Sequence, residues 1–123
     1  MNGIKSFLAD TNILVYLLEG RSQLVPFIGQ VFIISVITEI EFLGVKHIPG
    51  LSLKKRIALI EDCLRLPFDD IIKNITIEIK RETKIKTPDA IVAATAIKYK
   101  LPLLTADKGF KKIKELEAII LEL

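Results

Sequence analysis

The sequence predicts an α/β chain, a three-layer α/β/α sandwich around a central parallel sheet. Two observations predict it. Short uncharged runs rich in β-branched and aromatic residues suit strands buried on both faces, and each is followed by a helical pattern. Strands alternating with helices imply parallel pairing, because parallel neighbours need a crossover between them. At 123 residues the chain matches one domain, residues 1–123. Half of it is hydrophobic and 27% charged, which supplies enough apolar surface to exclude disorder.

Ser6 to Ala9 is the first strand. It ends at Asp10-Thr11-Asn12, residue types that favour helix N-caps, and Ile13 to Glu19 continues as helix up to Gly20. Val31 to Ser35 is the second strand, followed by a helix from Thr38 to Ile48 that stops at Pro49-Gly50. Ser52 caps a helix from Leu53 to about Leu64, and Arg65 to Phe68 is the third strand. Asp69 to Glu82 alternates with period two around Ile75, Ile77 and Ile79, yet Ile72, Ile75 and Ile79 also fit a helical stripe. The acid pair at its start and Lys80-Arg81 at its end complement a helix macrodipole, so it reads as helix. Thr87 caps and Pro88 opens the next helix, which runs to about Lys100. Leu103 to Thr105 is a strand, Asp107 to Leu116 a short lysine-rich helix, and Ala118 to Leu121 the last strand.

Composition narrows the function. The longest apolar stretches, Ile13 to Leu18 and Ala90 to Ile97, fall short of the roughly 20 residues that cross a bilayer. Met1 to Ala9 lacks a secretory layout, so a cytoplasmic protein with no membrane partner is expected. A single cysteine, Cys63, and a single histidine, His47, exclude an internal disulfide and a thiolate or imidazole zinc site. Cys63 is expected in the core, and His47 on its helix at or near the surface. Around a net charge of +3, basic residues cluster at Lys54-Lys55-Arg56, at Lys80-Arg81 with Lys84 and Lys86, and at Lys108 with Lys111, Lys112 and Lys114. Such runs are either solvated helix faces or the footprint of a polyanion.

Four acids stand apart from the solvated majority. Asp10 and Asp107 directly follow strands, at the carboxyl edge of a parallel sheet where ligands bind. Asp89 is the only charge between Thr87 and Ile97, on a helix apolar all round and rich in alanine. Glu41 falls on the stripe of Ile37, Ile40, Gly44 and Ile48, which makes it an inward acid, opposite Glu39. Asp10, Asp89 and Asp107 also sit at helix starts, where an acid stabilises N–H groups by roughly 0.5 to 2 kcal/mol. Glu41 has no such role. Two carboxylates about 5 Å apart repel by roughly 3 kcal/mol at an effective dielectric of about 20, so a convergent quartet needs neutralising. Protonation would serve, but a hard divalent cation serves better at neutral pH, and oxygen ligands favour Mg²⁺ or Mn²⁺. Such an ion would acidify a bound water and orient it toward a phosphorus.

The stretches "FLADTNILVYLL", "ISVITEIEFLG" and "TPDAIVAATAIKYKLPLLTADKGF" resemble, in order, the motif blocks of PIN-domain ribonucleases of the VapC toxin type, over nearly the whole chain. The resemblance implies a PIN-like α/β/α sandwich and an endoribonuclease dependent on Mg²⁺ or Mn²⁺ that leaves 5′-phosphate and 3′-hydroxyl ends. It also implies RNA as substrate, a cognate antitoxin as inhibitory partner, and a homodimer. The family's acids fall on Asp10, Glu41, Asp89 and Asp107 as metal ligands, and its accessory polar positions on Asn12 and Thr105, with Thr11 and Ser35 as weaker matches. Gly109 departs from the pattern, since many relatives carry a further acid there. Phe42 and Leu43, read as the outward side of the Glu41 helix, serve either a dimer interface or packing within the chain. Two other classes compete: a phosphatase of the haloacid dehalogenase type using Asp10 as nucleophile, and a binding module that holds RNA or protein without cutting it.

Overall fold

Parallel strands cannot be joined by tight turns, so a sheet of this kind forces a crossover after every strand. The computed structural model describes residues 5–122, and its strands obey that constraint. β1 (Ser6–Ala9), β2 (Val31–Ser35), β3 (Leu64–Leu66), β4 (Leu103–Thr105) and β5 (Ala118–Ile120) form one sheet in the order β3-β2-β1-β4-β5. Every pairing is parallel. The helices are α1 (Thr11–Glu19), α2 (Val36–Leu43), α3 (Gly50–Glu61), α4 (Asp70–Glu82) and α5 (Thr87–Tyr99). The secretory reading of Met1 to Ala9 falls partly outside the described residues. Among the described residues no helix is long and apolar enough to cross a membrane.

Side-chain alternation along the strands builds the three layers. Leu8, Ile33 and Leu103 point to one face, where Ile72 and Ile79 of α4 and Val92, Ala93 and Ala96 of α5 cover them. Phe7, Ala9, Ile34 and Leu104 point to the other, beneath Ile13 and Leu14 of α1, Phe42 of α2 and Ile60 of α3. The small residues of α5 let it pack closely, and Ala90, Ala93 and Ala94 are completely buried. The chain moves outward from β1 through β2 to β3, then returns to the other side of β1 with β4. This reversal opens a crevice at the carboxyl ends of β1 and β4, the usual ligand position in such sheets.

Several boundaries differ from those the sequence predicts. α2 starts at Val36, not Thr38, because the buried Ser35 hydroxyl accepts the Thr38 N–H at 3.2 Å and caps the helix. It ends at Leu43 rather than Ile48. At Gly44 the chain turns so tightly that a Cβ would lie 2.6 Å from the Ile40 carbonyl oxygen. His47 therefore lies in an exposed turn, off the helix and with φ of 56°. The inward face also differs. Thr38 and Phe42 are completely buried, whereas Ile40 is 59% exposed and Glu41 is on the exposed side. α2 sits between the two core clusters, with Ile37 against one and Phe42 and Leu43 against the other, so its largest side chain set its rotation. Phe42 and Leu43 pack within the chain.

α3 begins at Gly50 after Pro49, with no side-chain cap, which places Ser52 inside the helix. α3 ends at Glu61 and β3 begins at Leu64, both earlier than the apolar spacing indicates. Lys86 precedes α5, so Thr87 is its first residue rather than its cap. Asp107 to Leu116 is no α-helix: only Lys108–Lys112 winds, as a 3₁₀ helix. Phe110, Ile113 and Leu116 recur every third residue and donate N–H bonds three residues back, the 3₁₀ period that puts them on one face. A second 3₁₀ segment, Ser22–Phe27, buries Leu24. Cys63 is half-buried against the α1–α3 layer.

Arg56 on α3 is spent internally, unlike its neighbours Lys54 and Lys55. Its Nη1 donates to the Phe42 carbonyl at 2.8 Å, and its guanidinium lies 4.4 Å from the Phe42 ring centroid. One side chain thus satisfies an orphan carbonyl at the end of α2 and covers its main core anchor. Arg56→Ala should lower stability by about 1–2 kcal/mol in urea unfolding, against less than about 0.5 kcal/mol for Lys55→Ala. Equal effects of the two substitutions would contradict the clamp.

Candidate active site

Asp10 occupies the crevice between β1 and β4. Its N–H donates to the Leu104 carbonyl at 3.0 Å, extending the sheet ladder by one residue and fixing where the side chain leaves the strand. The residue is only 5% exposed. One carboxylate oxygen accepts the Thr11 N–H at 2.9 Å as the cap of α1. The other accepts the Thr105 hydroxyl at 2.7 Å and the Asn12 side-chain amide at 3.3 Å. Burial drives the Asp10 pKa upward. The bonds from Thr105 and Thr11 oppose this rise, and the charges of Glu41 and Asp107 add to it.

The two accessory residues, Asn12 on α1 and Thr105 on β4, also tie down the backbone that leads to Asp107. The Thr105 hydroxyl also accepts the Asp107 N–H at 3.0 Å, and the Asn12 side-chain oxygen accepts the Ala106 N–H at 3.3 Å. Asp107 itself accepts the Gly109 N–H at 2.8 Å. A Cβ on Gly109 would stand 3.1 Å from that same Asp107 oxygen, so a side chain there would crowd the carboxylate. Ser35 is different: it bonds to Thr38 and serves the α2 start alone.

Glu41 reaches the site from the exposed flank of α2, where its carboxylate accepts the Thr11 hydroxyl at 2.9 Å. Asp89 arrives from the first turn of α5 and makes no hydrogen bond to any described residue, which removes side-chain capping as its explanation. Its pKa is pushed up to about 6, first by burial and then by Asp10, Asp107 and Glu41, with Lys86 pulling the other way. Four separate segments therefore bring the four acids within one another's field. The capping reading also holds for Asp10 and Asp107, each using an oxygen for that purpose.

A divalent cation fits this arrangement by donor chemistry and by charge. The candidate ligands are all hard oxygens, and four like charges with one adjacent ammonium favour a counter-ion. As the side chains stand, no three His, Cys, Asp or Glu groups among the described residues converge on one point. A small ion that keeps several of its waters does not need them to. A phosphatase reading fares worse, because it leaves Glu41 without a part. Lys84 and Lys86 flank Asp89, and Lys108, Lys111 and Lys112 follow Asp107, all exposed. An apolar groove of about 210 Å³ beside α2, walled by Ile40, Phe68 and Ile91, has no counterpart in the sequence reading because its walls come from three distant segments.

Like-charge crowding has a stability consequence whose sign is fixed. Unfolded, Asp89 titrates near 3.8; folded, at about 6. Between these values the folded state holds the extra proton, so the contribution of Asp89 to ion-free stability is fully present below about 4 and is lost as pH rises through about 6. Asp10, also raised, acts in the same sense. In chelator at pH 7.5, Asp89→Asn should be more stable than the parent by about 1–2 kcal/mol after allowance for solvent screening, with a flatter pH profile. A less stable variant would contradict the raised pKa that burial and the neighbouring acids give Asp89.

Comparison with known proteins agrees with the geometry. A family model for the PIN domain matches residues 7–116. No curated protein matches by sequence. Among solved structures, a chain of a toxin-antitoxin complex from Klebsiella pneumoniae is 30% identical, with a TM-score of 0.74 over 92% of this chain and 95% of that one. VapBC2 from Rickettsia felis, bound to a promoter DNA fragment, has a TM-score of 0.80 at 19% identity over 95% and 99% of the two chains. VapBC-1 from nontypeable Haemophilus influenzae has a TM-score of 0.79 at 21% identity over 94% and 97%. With its parallel sheet, its acid-lined crevice and a match over almost its full length, the chain belongs to the PIN domain family.

Proposed function

We propose that the chain is a divalent-metal-dependent endoribonuclease, the VapC-type toxin of a toxin-antitoxin pair, acting in the cytoplasm as a homodimer and inhibited by a cognate antitoxin. The observation that supports the nuclease reading is that Asp10, Asp107 and Glu41, each from a different segment, add to burial in raising the pKa of Asp89. The antitoxin reading is supported by the 30% identity to a chain of the Klebsiella complex.

In this reading the four acids hold Mg²⁺ or Mn²⁺. When bound, the ion supplies the acidity that makes water a nucleophile and the positive charge that a dianionic transition state requires. The protein's part is orientation. Thr105, Asn12 and the Thr11 N–H fix the plane of the Asp10 carboxylate. Through Thr105 and Ala106 they fix the start of the Asp107 turn as well. The lysines around Asp89 and Asp107 bind the RNA backbone on either side of the scissile phosphate, an interaction that weakens with salt.

The purified protein should cut RNA with Mg²⁺ or Mn²⁺ and stop in excess chelator, and Asp89→Asn should lose activity by more than about a hundredfold. Cleavage and Mn²⁺ binding should both fall as pH drops through about 6, because a proton and the cation compete for Asp89. Equal cleavage with chelator present would eliminate the metal mechanism.

A further inference from the structure

We propose that Thr11 is a positioning residue that sets the direction of the Glu41 carboxylate, an inference that rests on the metal site proposed above. Thr11 touches two of the four acids with two different groups. Its backbone N–H donates to Asp10 at 2.9 Å, and its hydroxyl donates to Glu41 at 2.9 Å across 30 residues of sequence.

The hydroxyl is available for this because of where Thr11 stands. A threonine inside a helix ordinarily donates back to the carbonyl four residues earlier. Thr76 and Thr95 do so at 2.7 Å and Thr83 at 2.9 Å. Thr11 is the first residue of α1, so no earlier turn of its own helix offers a carbonyl, and the hydroxyl turns outward to α2 instead. A hydroxyl has one proton to donate, and here it is committed to Glu41.

Glu41 needs an external reference more than its partners do. Asp10 is nearly buried and held by three donors, and Asp107 is tied to its own turn. Glu41 lies on the exposed flank of a two-turn helix, on a side chain with three rotatable bonds, and Thr11 is its only hydrogen-bond partner among the described residues. Since the same residue's N–H also orients Asp10, Thr11 sets two carboxylates from different layers in one frame. Partners of this kind typically alter metal affinity by about 10- to 100-fold when removed.

The test is Mn²⁺ titration by calorimetry of the full chain, comparing the parent with Glu41→Gln, Thr11→Val, Thr11→Ala and Thr11→Ser, each checked by its apo melting curve to be folded at the temperature of the titration. Thr11→Val, which keeps the shape and loses the donor, should weaken Mn²⁺ binding by about tenfold or more. Thr11→Ala should match it, which guards against crowding by the extra methyl. Thr11→Ser, which keeps the donor, should stay within about twofold of the parent. Combining Thr11→Val with Glu41→Gln should add little to Glu41→Gln alone, since both act through one carboxylate. Parent-like binding by Thr11→Val and Thr11→Ala, with Glu41→Gln weakened, overturns the positioning role while the metal site stands. Parent-like binding by Glu41→Gln overturns both.

Discussion

The bond between the Thr105 hydroxyl and the Asp10 carboxylate, 2.7 Å long and spanning 95 residues of sequence, is the interaction on which the site depends. Burying a carboxylate without partners is prohibitively unfavourable, so Asp10 can sit at the end of β1 only if neighbouring strands bring donors to it. The parallel pairing of β1 with β4 does so. It sets Leu104 opposite Ala9, so Asp10 emerges level with Thr105, the last residue of β4. Asn12 adds a second link across the same seam. The seam orients the first acid and anchors the last.

From this seam the other two acids are reached by different structural means. α5 is sheathed in alanines and packs so closely on the sheet that its first turn carries Asp89 to the crevice with little freedom of its own. α2 is short, sits between the two core layers, and is held by Phe42, by the Ser35 cap and by the Arg56 clamp at its end. The packing on either side of the sheet is predominantly apolar. The rim it supports carries like charges that add to burial in raising the pKa of Asp89, an arrangement that lowers ion-free stability at neutral pH.

Much of this was legible in the sequence, for reasons that particular residues make plain. Val31 to Ser35 and Leu103 to Thr105 contain no charge and little else than strand formers, and both are strands. Asp69 to Glu82 carries acid at one end and base at the other, and folds as the helix those charges favour, with Asp69 as its cap. Asp10 and Asp107 stood out by following strands, Asp89 by its apolar helix, and Glu41 by its helical phase. What stayed hidden was tertiary. α2 has two apolar sides, and only the space left in the layer of α1 and α3 decides that Phe42 rather than Ile40 goes inside. Glu41 was singled out as a residue of the buried stripe, whereas it lies on the solvent side of α2 and meets Thr11 from there. The Lys108–Lys112 turn winds as 3₁₀ because Phe110 and Ile113 must enter the same pocket of core, a demand that local propensity does not express.

The seam between β1 and β4 has a temporal meaning as well. Synthesis delivers Asp10, Thr11 and Asn12 first, and β1 can pair with β2 soon afterwards, but the far wall of the crevice is supplied by residues near the other end of the chain. Until Leu103 to Thr105 slides in beside β1, Asp10 lacks its Thr105 partner and Asp107 has no fixed place. The crevice is therefore finished only once β4 has paired with β1, however early the Asp10 segment is made.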